Sequence, residues 1–151
     1  MVEKYAKDDS LYPKDLKLRT KVNERLFYVA SYIFPRAYQI FVPGYFGIES
    51  EIPQKKIDEM LRGYQTIEDF LKGNKYLTGD SLTLCDLFLW CNMESLNQVI
   101  PIDEEKFPNF FGWLNKMREE PTYNVNREGA DDHISFYKDC IKQNSEKKQD
   151  D

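Results

Sequence analysis

The stretch Gly79-Asp80-Ser81-Leu82-Thr83-Leu84-Cys85-Asp86-Leu87 decides the fold, because it specifies a helix start at several levels together. Thr83 suits an N-cap, and Asp86, three residues on, completes a capping box in which each side chain accepts from the other's orphan backbone N–H. Leu82 at N′ and Leu87 at N4 are spaced for a hydrophobic staple. Leu84 and the run Leu87-Phe88-Leu89-Trp90-Cys91 are apolar nearly all round, the pattern of a buried helix rather than a half-wet one. A fully enclosed helix is therefore expected over residues 83–99. So explicit a start matters most where no water can satisfy the first-turn donors. Thr83 and Asp86 are read as structural, not catalytic. The same four residues would also serve an ordinary surface helix.

Upstream, a long first helix is expected over residues 14–41. Val22, Leu26, Val29 or Ala30, Ile33, Ala37 and Ile40 fall at the three-and-four spacing of one buried face. A second line, Phe27, Phe34, Tyr38, Phe41 and Tyr45, lies about 100° around the same helix. Two faces need two partners. Pro35 removes the N–H that would bond Ser31, so a kink is expected near residues 31–35, and Pro43-Gly44 is expected to end the helix. A second helix begins near Pro53, with Pro53 as N1, and runs to Leu71, with Ile57, Met60, Leu61, Tyr64, Ile67, Phe70 and Leu71 inward and Gly73-Asn74 as its stop.

Downstream, Pro101 breaks the chain. Helices are expected over 108–119, with Phe110, Phe111, Leu114 and Met117 inward, and over 130–142, carrying Ile134, Phe136, Tyr137 and Ile141. Residues 144–151 form a charged tail that should fray. No run alternates with period two and no Asn-Gly or Asp-Gly turn joins apolar strands, so the fold class is all-α with five to six helices.

The 151 residues fit one domain, and 41% hydrophobic with 15% aromatic residues supply an ample core. The net charge of −5 and the scattering of the 21 basic residues argue against a nucleic-acid partner. No apolar run approaches the ~20 residues that span a bilayer, and the start MVEKYAKDD has no signal-peptide core, so a cytoplasmic protein without membrane contact is expected. Cys85, Cys91 and Cys140 are odd in number and lack C-x-x-C spacing, which points to reduced structural thiols.

Little in the chain suggests catalysis. His133 is the only histidine, so no His-based metal cluster or Ser-His-Asp triad can be assembled, and at the start of a helix it is expected to be a solvated surface residue. No glycine-rich phosphate loop occurs, and no cofactor is expected. The best candidate is the aromatic line. Phe34, Tyr38, Phe41 and Tyr45, with Arg36 nearby, supply the apolar wall and few polar atoms of a small-molecule pocket. The competing expectation is that these rings simply pack against other helices or a partner subunit.

Leu11-Tyr12-Pro13-Lys14-Asp15, Val22-Asn23-Glu24-Arg25-Leu26, the segment 76–86 and Phe107-Pro108-Asn109 with Trp113 occur in an order and spacing that resembles the C-terminal helical domain of cytosolic glutathione transferases. Asn126-Arg127-Glu128-Gly129 makes the insect delta and epsilon classes the most similar. The resemblance implies that residues 1–13 are the end of a preceding helix and an interdomain linker, that 14–143 form the helical domain, and that a thioredoxin-like N-terminal domain is absent. It implies a hydrophobic co-substrate site at Phe34, Tyr38, Phe41 and Tyr45, with Phe136 from the last helix, and no catalytic residue in this chain. Glutathione would be the co-substrate of the complete enzyme, which conjugates it to electrophiles in detoxification. Hydrophobic small molecules, the missing domain or a partner subunit, and a second copy in a homodimer are the partners it implies. Members commonly carry an acidic residue where Val29 stands, and Pro35 within the long helix is unusual, so substrate range does not transfer. Alone, the chain is expected to be inactive. The alternative is a non-catalytic interaction or ligand-binding module of the same fold.

Overall fold

The computed structural model describes the backbone of residues 2–150 and the side chains of 4–148. The ends of the expected leading segment and tail, Met1 and Asp151, lie outside the described residues. In order come a helical turn α1 (Val2–Tyr5), α2 (Leu16–Tyr28), a π-wound segment (Val29–Ile33), α3 (Phe34–Tyr45), α4 (Gln54–Leu71), α5 (Leu84–Val99), α6 (Pro108–Met117) and α7 (Tyr123–Asp150). Because α2, the π segment and α3 form one broken rod, the architecture is a bundle of five long helices. The described residues contain no strand, only an isolated bridge between Tyr76 and Gly79. The all-α expectation holds.

The broken rod is the hub. Its aliphatic face, Val22, Val29, Ile33, Ala37 and Ile40, is buried, with Val29 rather than Ala30 facing in. The expected proline kink takes a specific form: residues 29–33 wind as a π-helix, and the Phe34 N–H bonds Val29 O. The wide turn places Pro35 in the first turn of α3, where a missing N–H costs little. Pro43-Gly44 does not end the helix. α3 continues to Tyr45, and the left-handed residue that stops it is Gly47, at φ +72°. Gly44 is needed instead for close approach: a Cβ there would meet Tyr137 Cε2 of α7 at 2.7 Å.

At the start of α5 the segment 76–86 closes on itself through a buried carboxylate. Asp86 Oδ1 accepts from Leu77 N at 2.8 Å and Trp113 Nε1 at 3.0 Å; Oδ2 accepts from Thr83 N at 3.0 Å and Thr83 Oγ1 at 2.9 Å. Leu84 N donates to Leu11 O at 2.8 Å, so the segment before α2 is fastened to the same point. α5 is not fully enclosed, however. Phe88 and Cys91 are exposed, leaving one face of the helix for the cavity below. Glu68 of α4, also buried, receives the N-terminus of α6 through Phe110 N at 2.8 Å and Asn109 N at 3.2 Å.

Two helices differ from expectation at their ends. α4 begins at Gln54 with Pro53 in the N-cap position, and α6 stops at Met117. α7 departs most: it starts at Tyr123, seven residues before the expected 130, and continues through the segment expected to fray. Asn144 explains the extension. Its Nδ2 is buried and donates to Gly44 O at 2.7 Å and Glu49 O at 2.9 Å, so this part of α7 is held by the end of α3. No helix of the described residues is long and apolar enough to cross a membrane.

Candidate functional site

Phe34, Tyr38, Phe41 and Tyr45 recur at three-and-four spacing along α3, so a single face carries all four rings. That face meets α5 and α7 and lines a cavity of about 260 Å³, whose far wall is Cys91, Asn92 and Ser95 of α5 and His133 of α7. Phe34 and Tyr38 are 52% and 58% exposed and form the rim, whereas Phe41 is buried at the floor. There the Phe41 ring meets the edges of Tyr137, centroids 5.0 Å apart, and His133, 4.6 Å apart. Such edge-to-face contacts fix ring positions. Phe136 does not line the cavity. One position round α7 from the buried Tyr137, it is 59% exposed, and its ring lies against Tyr45 at 5.4 Å between centroids.

The polar centre comes from a residue expected at the surface. His133 is half-buried: its Nε2 is hydrogen-bonded to Tyr45 Oη, and its Nδ1 lies 3.0 Å from Ser95 Oγ. Burial lowers the imidazole pKa below its ordinary value, and burial pushes the Tyr45 phenol up to about 12, so both groups are uncharged near neutrality. A neutral imidazole has one N–H. If Tyr45 donates to Nε2, then Nδ1–H donates to Ser95 and the Ser95 hydroxyl proton is spare. With the other tautomer, the Tyr45 proton is spare. Either way the chain Tyr45–His133–Ser95 offers the cavity one orientable donor and no charge. That suits an apolar molecule bearing an acceptor such as a nitro or carbonyl oxygen.

The thiols divide. Cys85 is buried, and burial pushes its thiol up to about 12, which makes it inert. Cys91 is exposed on the cavity wall, against the expectation that both cysteines of α5 are buried. No cluster of three or more His, Cys, Asp or Glu among the described residues could hold a metal ion.

Sequence reasoning gave His133 to the surface and Cys91 to a structural role, and did not single out Ser95. The signal that could have found them is helical spacing: Cys91 and Ser95 are four apart on α5, facing the side of α7 that carries His133.

The family model of the glutathione S-transferase C-terminal domain matches residues 29–121. Glutathione S-transferase 1 of Manduca sexta is 31% identical over 124 residues, 82% of this chain and 57% of its own length. Among solved structures, the epsilon-class glutathione S-transferase of the housefly, Musca domestica, superposes with a TM-score of 0.87 at 38% identity, covering 92% of this chain and 65% of that one. Glutathione S-transferase isozyme E7 of Drosophila melanogaster gives a TM-score of 0.87 at 34% identity, over 91% of this chain and 63% of that one. The chain thus spans somewhat over half the length of the curated relatives it matches.

Proposed function

The chain belongs to the glutathione S-transferase C-terminal domain family, and from that membership we propose that it supplies the hydrophobic co-substrate site of an insect-type enzyme conjugating glutathione to electrophiles. The observation that carries the proposal is the convergence of Phe34, Tyr38, Phe41 and Tyr45 on one cavity with a neutral Tyr45–His133–Ser95 donor chain at its base. The apolar rim binds the electrophile by excluding water, and the spare hydroxyl proton orients an acceptor on it. Phe136 lies outside the cavity and contributes through its ring contact with Tyr45. Glutathione and the group that stabilises its thiolate belong to a thioredoxin-like domain outside these residues, which act in the cytoplasm as part of the complete enzyme, itself a homodimer.

Two experiments test this. Mixing the 151-residue chain with glutathione and a chloronitrobenzene should give no rate above the uncatalysed reaction, and turnover would overturn the assignment of catalysis to another domain. In a ¹⁵N NMR titration with nitrobenzene, an unreactive mimic, amides of residues 34–45 should shift. No shift there would remove the cavity from the account. The alternative, a non-catalytic interaction module, draws on the exposed Leu16, Phe27, Phe46 and Ile48, and such a protein would leave nitrobenzene unbound.

A further inference from the structure

At the base of the aromatic cavity the Ser95 hydroxyl is used differently from those of Thr20 and Ser145. These two, also on helices, donate to the carbonyl four residues back, at 2.7 and 3.0 Å. Ser95, buried on α5, makes no such bond; its one hydrogen-bond partner among the described residues is His133 Nδ1, at 3.0 Å. Resting on the reading of this cavity as the electrophile site, we infer that Ser95 is its specificity-determining donor: His133 is held as the Nδ1–H tautomer, and the Ser95 hydroxyl, accepting from it, presents its own proton to a carbonyl or similar neutral acceptor on the bound molecule.

Two directions of bonding satisfy Tyr45, His133 and Ser95, and the chemistry of the two hydroxyls separates them. The bond made at one imidazole nitrogen decides which nitrogen carries the proton. The phenol of Tyr45 delocalises its oxygen lone pair into the ring, which makes it the stronger donor and the weaker acceptor of the pair. Tyr45 Oη–H therefore donates to Nε2, and Nδ1–H donates to Ser95 Oγ. The reverse direction asks the phenol to accept and the alcohol to donate, the poorer choice at both bonds. Packing holds the Tyr45 ring in place for this role, with its centroid 5.4 Å from that of Phe136 and 5.8 Å from that of Tyr137. Tyr45 and His133 are thus positioning residues, and Ser95 meets the ligand. Of the other polar groups on the wall, Asn92 Nδ2 already donates to Phe88 O at 2.9 Å, and the Cys91 thiol is a weak donor. A hydroxyl that accepts from an N–H is polarised toward donating its own proton, which strengthens the bond Ser95 offers.

The test has a spectroscopic and a binding arm. In the ligand-free chain, ¹⁵N NMR of the imidazole should show Nδ1 protonated and Nε2 bare. The binding arm compares acetophenone with α-methylstyrene, which keeps the shape of acetophenone and replaces its carbonyl oxygen by a methylene group. Affinities are read from amide shifts of residues 34–45. Ser95→Ala is made on a Tyr45→Phe background, so that no second hydroxyl takes over the bond. Relative to that background, loss of Ser95 should weaken acetophenone by about two- to tenfold, the range of one hydrogen bond, and leave α-methylstyrene unaffected. A merely structural defect would weaken both compounds alike. Protonation of Nε2 in place of Nδ1, or an acetophenone preference indifferent to Ser95 while both compounds still shift residues 34–45, would overturn the inference and leave the cavity reading standing. No shift of those amides by either compound would remove the cavity reading and the inference with it.

Discussion

Gly44→Ala and Gly129→Ala make the same chemical change inside helices and should move stability in opposite directions. In a helix interior alanine is favoured over glycine by about 0.8–1 kcal/mol. At Gly129 a new Cβ meets nothing within 4 Å, so the full gain should appear. At Gly44 the Cβ would stand 2.7 Å from Tyr137 Cε2 and 3.0 Å from Ile141 Cδ1. The isoleucine terminus can rotate away, but the Tyr137 ring is clamped against Phe41 and Tyr45, with centroids at 5.0 and 5.8 Å. Overpacking of this kind costs ~1–3 kcal/mol, which outweighs the propensity gain and leaves Gly44→Ala about 1 kcal/mol less stable. For a chain of this size that is a fall in Tm of about 2–4 °C, against a rise of about 2–4 °C for Gly129→Ala. Thermal melts followed by circular dichroism, with urea titrations for the free energies, measure both. A Gly44→Ala protein at least as stable as wild type would refute the claim that α3 and α7 touch through this glycine.

The pH dependence of stability isolates His133. Burial lowers its folded pKa, so between that value and the unfolded value of about 6.5 the unfolded chain binds more protons; the contribution is complete above about pH 6.5 and is lost as pH falls through the folded pKa. The urea midpoint of wild type should therefore drop more steeply between pH 7.5 and 5 than that of His133→Gln, and parallel profiles would contradict the burial. Cys91, exposed although burial raises its thiol pKa, should react with Ellman's reagent in the folded chain, while Cys85 stays unreactive until the chain unfolds, as peptide mapping would show. Glu68→Ala strands the buried Phe110 N–H and should cost about 1–3 kcal/mol in urea unfolding; a loss under 0.5 kcal/mol would argue against Glu68 as the cap of α6.

What the sequence discloses depends on how local the determinants are. The start of α5 is legible because Thr83 and Asp86 are three residues apart, and the buried face of the first rod is legible because its aliphatic spacing is regular. The early start of α7 is not. Asn126, Glu128 and Gly129 have the composition of a loop, and the Asn144 side chain is held by carbonyls 100 and 95 positions away. His133 was misplaced for the same reason, since its partners Tyr45 and Ser95 lie 88 and 38 positions back. Four rings of the expected site share one helix and could be grouped by spacing, whereas the outward turn of Phe136 rests on a register set by its neighbour Tyr137 packing on α3. Apolarity all round α5 likewise could not show that Cys91 borders open space rather than another helix.

The central claim is that the aromatic face of α3 is a small-molecule site. Its most direct test is the affinity of nitrobenzene read from amide shifts of residues 34–45, in wild type and in the Phe34→Ala, Tyr38→Ala double variant. Both rings are partly exposed at the rim, so their removal should leave the fold intact and weaken binding at least tenfold, about 1.4 kcal/mol or more. Equal affinity in the two proteins, with the same amides shifting, would contradict it.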